Sequence, residues 1–112
     1  MKDEMLIYLN ERIDWYKQEH ARLRCECRAD EAAHAQIAMN VYSIFLSTWQ
    51  AMKYDLPSAI QKFSVIVSVW DENHRRALEH DDYAKKFIEE IKIARAMEII
   101  RRAKELERMH HD

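Results

Sequence analysis

Three histidines are the residues best suited to chemistry, because they occupy apolar positions of three different predicted helices. His20, His34 and His74 each fall among apolar residues that recur at spacings of three and four, whereas histidine is more often found at least partly exposed. Neutral imidazole is a common ligand of transition metals. Three such histidines in one small helical protein could therefore share a metal ion.

Carboxylates stand close enough in the sequence to complete such a site. Glu31 precedes His34 with Glu-x-x-His spacing, which places both side chains on one face of a helix. Di-iron and di-manganese helical bundles use this spacing, together with a glutamate from each of the other helices. The match is incomplete, because Asp71 rather than glutamate stands three residues before His74. The candidate metal ligands are His20, His34, His74, Glu90 and Glu31, and the nearest ions by ligand type are zinc, iron and manganese.

A second interpretation needs no cofactor, and we prefer it. The same histidines could belong to a buried hydrogen-bond network with Tyr16 and Glu90 that fixes how the helices pack. Bound metal, or its absence, separates the two interpretations.

The elements that would position these residues are helices. The chain has 112 residues, no glycine and a single proline, Pro57, so the residues that punctuate sheets and hairpins are missing. A chain of this length forms one domain that can bury a core without disulfides or metals. We therefore expect one all-α domain over residues 1–112.

The stretch 35–52 predicts the central helix. It carries no formally charged side chain, although 34% of the residues in the chain are charged. Its polar residues recur at spacings of four and three, which gathers them on one narrow face of a helix. These residues are Gln36, Asn40, Ser43, Ser47 and Gln50. The remaining surface of this helix is expected to be buried.

The predicted architecture is an antiparallel up-down-up-down four-helix bundle, with helices near 2–27, 30–54, 57–80 and 82–109. Val65, Ile66 and Val69 would widen the apolar face of the third helix. The inner row of the fourth helix would consist of Tyr83, Phe87, Glu90, Ala94 and Met97. Residues 28–33 contain no glycine or proline and the helical spacing continues through them, so the alternative is a hairpin of two long helices, 2–54 and 57–109, that dimerises.

Association with another protein chain is the leading functional hypothesis. Met5, Tyr8 and Trp15 flank the apolar row of the first helix and form an apolar shoulder, which predicts a homo-oligomeric interface. The outer apolar groups of the fourth helix are the alternative surface for self-association. The metal-binding bundle is the alternative. An enzyme is less expected, because a chain without glycine has no glycine loop for phosphates and no nucleophile elbow.

Charge, cysteine content and hydropathy also indicate which partners and which cellular compartment to expect. The net charge of −2 does not favour nucleic-acid binding, and the apolar run near the N-terminus is too short for a signal peptide. The polar face of the 35–52 helix argues against a membrane span. Cys25 and Cys27, two residues apart on a helix, point in widely separated directions and are not expected to pair, and reduced thiols fit the cytoplasm.

Overall fold

A computed structural model describes residues 1–110, and this part of the chain forms four α-helices joined by short loops. They are α1 (Lys2–Cys25), α2 (Ala29–Ala51), α3 (Leu56–Glu79) and α4 (Tyr83–Met109). Helix accounts for 89% of the described residues, with no strand among them. The predicted all-α class and the four helices are confirmed, and the short loops are consistent with antiparallel neighbours. The alternative of two long helices is wrong, because the first helix ends at Cys25.

The loops reverse the chain without glycine. Each contains at least one residue with a positive φ angle: Cys27 (59°) in the first, Lys53 (55°) and Tyr54 (62°) in the second, and Asp81 (53°) in the third. After the first helix, the amide of Arg28 donates to the carbonyl of Leu23 over 2.9 Å, which is the Schellman arrangement that normally uses glycine. A left-handed residue other than glycine costs about 1–2 kcal/mol. The break near residue 28 was hard to foresee because the usual glycine signal is absent.

Helix α2 is the centre of the fold. It packs against all three other helices, whereas α1 touches α4 only marginally and does not contact α3 within residues 1–110. The chain therefore consists of an α1–α2 hairpin and an α3–α4 hairpin that meet mainly through α2 and α4. The resulting body is flat, with extents of 46 × 35 × 22 Å, and its radius of gyration is 15.2 Å against about 13 Å for a compact domain of this length. An open cleft remains between α1 and α4.

Aromatic side chains fill the core between the two hairpins. Phe45 of α2 and Phe63 of α3 meet edge to face with ring centroids 5.1 Å apart, and Trp70 continues the contact 6.0 Å from Phe63. The polar face of α2 lies at the surface as predicted: Asn40 and Ser47 are exposed, and Gln36 donates to Asn40 over 2.9 Å. Burial of the other faces of α2 therefore holds the four helices together.

The predicted inner row of α4 is wrong. The structure buries another row of this helix, formed by Glu89, Ala96, Ile99, Ala103 and Leu106. Tyr83, Phe87 and Met97 are instead 71%, 50% and 46% exposed. Both rows are apolar and helically spaced, so periodicity alone cannot choose between them. The row with two alanines is the one that faces α2 and α3.

Two further surface assignments need correction. Val65 and Val69 of α3 are 62% and 55% exposed, so they do not widen the core face of that helix. Met5 is fully buried and belongs to the core rather than to a surface shoulder.

None of the four helices combines the length and the hydropathy that crossing a lipid bilayer requires.

The orientation of α2 and α4 can be tested with a matched pair of phenylalanines. Phe45→Ala should lower the free energy of unfolding by about 3–5 kcal/mol, because it removes a fully buried ring and leaves a cavity. Phe87→Ala should cost less than about 1 kcal/mol, because half of that side chain is already in water. Urea unfolding measures both values. Equal losses of unfolding free energy at the two positions would contradict the orientation of α4 in which Phe87 faces the solvent.

Candidate functional site

A polar network joins α1, α2 and α4 at the base of the cleft between α1 and α4. The guanidinium of Arg95 donates to the hydroxyl of Tyr16 over 3.2 Å and to Glu98 over 2.9 Å. The other oxygen of Glu98 accepts a hydrogen bond of 3.2 Å from the hydroxyl of Tyr42. Arg12 donates to Tyr16 over 3.3 Å. Through these bonds five side chains from three helices are held in a fixed relation to one another.

Aromatic rings surround the guanidinium of Arg12. Its Cζ lies 5.2 Å from the ring centroid of Tyr16, 5.4 Å from that of Trp15 and 5.8 Å from that of Tyr42. Trp15 also meets Tyr16 edge to face, with centroids 4.9 Å apart. Contacts of a guanidinium with aromatic faces are attractive and restrict both partners. Trp15 is therefore held in place although it is 50% exposed.

The cleft above this network carries both charges. Its lining residues, which define the α1–α4 cleft, are Tyr8, Arg12, Glu98, Arg101, Arg102 and Glu105, and its volume is about 400 Å³. Within it, Arg102 and Glu105 form an ion pair of 3.3 Å. Along the α4 wall two arginines thus lie between two glutamates, and the α1 side of the cleft contributes Tyr8 and Arg12.

The tyrosines in the cleft are held in the neutral form. Burial raises the pKa of Tyr42 well above the ordinary tyrosine value, although a hydrogen bond from Arg12 opposes the shift. Burial likewise raises the pKa of Tyr8. Burial works to lower the pKa of Arg95, but its contacts with Tyr16 and Glu98 outweigh this effect and raise it. Neutral phenols and charged guanidinium groups provide hydrogen bonding and stacking rather than a general base or a nucleophile.

The predicted metal ligands lie in separate places. His34 packs against the ring of Phe87, 4.9 Å between centroids. His20 lines a different cavity, of about 490 Å³, beside Arg24 and Cys27. Glu31 is exposed and paired with Arg28.

His74 and Glu90 are the two candidates that the structure brings together. The Nε2 atom of His74 lies 3.5 Å from a carboxylate oxygen of Glu90, which also faces Lys86 at 3.4 Å. No group of three or more His, Cys, Asp or Glu side chains among residues 1–110 is arranged to hold a metal ion. The network around Tyr16 forms with arginines instead of with His and Glu90. A metal site in this chain stays a prediction.

Sequence reasoning placed Tyr8 and Trp15 at the surface of α1 but missed their polar partners. Arg12, Arg95 and Glu98 are residue types that usually lie at the solvated surface of a helix. Their network forms only because three helices meet at this point. One signal was present in the sequence. Tyr8, Arg12, Trp15 and Tyr16 share a face of α1 at spacings of four, three and one, a combination of aromatic residues and arginine that is typical of binding surfaces.

Comparison with protein-family models, with curated proteins and with solved structures finds no match to this chain.

The buried phenol of Tyr42 gives a pH dependence that can be measured. Its pKa is raised in the folded state above the ordinary value of 10.0, so the stability it contributes is complete below pH 10 and is lost as the pH rises, since only the unfolded chain then releases the proton. Tyr42→Phe should remove this effect, which amounts to at most about 1.4 kcal/mol per pH unit. Urea unfolding between about pH 9 and pH 11.5 measures it. Parallel losses of stability in wild type and variant would contradict the burial of this phenol.

Proposed function

We propose that this protein is a non-enzymatic helical module that self-associates as a homodimer through the α1–α4 cleft and the adjoining Trp15. The observation that carries the proposal is that α1 and α4 approach each other closely at only a few positions and leave between them a cleft lined by Tyr8 and by charged side chains. The proposed occupant of the cleft is a second copy of this chain.

The composition of this surface supports a binding role. Tryptophan, tyrosine and arginine dominate the energetics of protein interfaces, particularly where they are rigid before binding. Here Trp15 rests against Tyr16 and Arg12, and Tyr8 is half-buried against Tyr42 with centroids 6.3 Å apart. These side chains therefore lose little conformational entropy when the surface binds a partner.

The charges favour a second copy over an unrelated partner. The cleft contains Arg12, Arg101 and Arg102 together with Glu98 and Glu105, so it carries both signs of charge with an excess of one arginine. A surface with both signs can meet itself about a two-fold axis, where arginines of one copy face glutamates of the other. A strongly basic or acidic cleft would instead repel its own copy.

The same surface favours recognition over catalysis. The hydroxyls of Tyr16 and Tyr42 beneath it are engaged with the charged side chains of Arg12, Arg95 and Glu98. Both cysteines are free and exposed, which supports the reducing environment of the cytoplasm as the setting in which the module works.

Sedimentation equilibrium of a matched pair of variants tests the proposal. Trp15→Glu should weaken dimerisation by a factor of about 30 or more, because it places an unpaired charge at the centre of the contact. Val65→Glu, on the outer face of α3 and similarly exposed, should leave the dissociation constant unchanged. Circular dichroism of both variants confirms that they keep their helices.

Two results would contradict the proposal. One is a wild-type protein that stays monomeric up to about 1 mM, since an association weaker than this lies below the range of specific interfaces. The other is an equal loss of association in the two variants, which would place the contact outside the cleft.

A further inference from the structure

A second groove lies on the other side of α4, between the start of α3 and the last turns of α4. Its volume is about 850 Å³. Met97 and Ile100 of α4 form its apolar floor, and Pro57 at the start of α3 forms part of the opposite wall. We call it the α3–α4 groove. It is separate from the α1–α4 cleft, although Arg101 stands on the ridge between them.

The rim of this groove is basic. Arg101, Lys104 and Arg108 line it at spacings of three and four on α4, and none of them forms an ion pair with any of residues 1–110. Glu107 is the acidic residue in the lining. His110, at the same end, is already engaged with Glu4 at 2.7 Å. The groove therefore joins an apolar floor to cations that lack a counter-charge in the described structure.

The length and openness of the α3–α4 groove indicate which kind of ligand it can bind. From Met97 to Arg108 the lining follows α4 for three turns, or about 16 Å, which matches the length of a short helix laid alongside. Sites for acyl chains and other small molecules enclose most of the ligand surface, whereas this groove is open along its length. A helix can place its apolar side on the floor and keep its opposite side in water.

We propose that the α3–α4 groove binds an acidic amphipathic helix of another protein. Leucine-like side chains at helical spacing would cover Met97 and Ile100, and glutamates or aspartates beside them would pair with Lys104 and Arg108. The charge complementarity argues for this partner over a second copy bound in the same way, because the groove itself is basic and would repel its equivalent.

A labelled probe peptide tests the proposal on the full chain. The probe has about 14 residues, with leucines at i, i+3, i+7 and glutamates on the flanking positions, and carries a fluorophore at one end. Fluorescence anisotropy should show saturable binding that weakens as salt is added, because exposed charge pairs are screened. A control peptide with lysine in place of each glutamate should bind at least tenfold more weakly.

Charge-reversal variants locate the site. Lys104→Glu with Arg108→Glu should weaken binding of the acidic probe by tenfold or more. Lys17→Glu with Arg24→Glu, which makes the same change in net charge on exposed positions of α1, should leave the affinity within a factor of about two, since distant charges are screened. Equal effects of the two double variants, or no binding of the probe, would overturn the proposal.

Three further measurements separate this proposal from the alternatives. Trp15→Glu should bind the probe as wild type does, so loss of self-association and loss of groove binding are distinguishable. Saturable binding of a long-chain fatty acid below its micelle concentration, with no binding of the acidic probe, would assign the groove to an acyl carboxylate and contradict the proposal. Loss of self-association in Lys104→Glu with Arg108→Glu, while Trp15→Glu stays dimeric, would assign the groove to a second copy and contradict the proposal as well.

Discussion

The burial of α2 against the other three helices is the constraint on which the rest of the structure depends. Its apolar faces include Val41, Tyr42, Phe45 and Trp49, all at most 1% exposed. Because α2 meets α1, α3 and α4, the free energy gained by removing its side chains from water depends on all four helices being in place. Helix α1 is consequently attached through α2, and its side toward α4 is left open.

The polar network supplies hydrogen bonds to the hydroxyl groups that this packing buries. Tyr16 and Tyr42 bring hydroxyl groups into an apolar environment, where an unbonded hydroxyl would cost about 1–3 kcal/mol. Arg12, Arg95 and Glu98 supply the missing hydrogen bonds from helices that flank the cleft. The same interactions hold the arginines and Trp15 rigid at the surface. The same hydrogen-bond network thus satisfies the buried hydroxyl groups and holds the surface side chains in place for binding.

Much of the fold follows from local sequence signals. The absence of charge over residues 35–52 predicted the central helix, and its polar stripe predicted the solvent face. The helix starts expected near residues 57 and 82 coincide with Pro57 and Asp82. Asp82 accepts a hydrogen bond from the amide of Lys85 over 3.1 Å, as an N-cap does. These features depend on residues near one another in the chain, so they can be recognised without knowing the partners of each helix.

The features that could not be predicted depend on distant residues. The rotation of α4 is decided by which of its two apolar rows fits against α2 and α3, and the alanines at 96 and 103 permit the closer approach. That rotation also determines that Arg95 and Glu98 reach Tyr16 and Tyr42 across the cleft. The histidines share an apolar periodicity, but their helices place them at different contacts. Spacing within a helix could not reveal this, because distances between helices depend on the packing.

The central claim is that the open side of α1, at Trp15, is where two copies meet, and contacts between copies can be observed directly. A dimer prepared from equal amounts of isotope-labelled and unlabelled protein allows isotope-filtered nuclear Overhauser measurements, which report only protons less than about 5 Å apart that belong to different copies, a distance comparable to side-chain contact. The account predicts such signals from the indole of Trp15 to side chains of the partner's cleft. Signals that arise from Val65 and Val69 on α3, with none from Trp15, would contradict it.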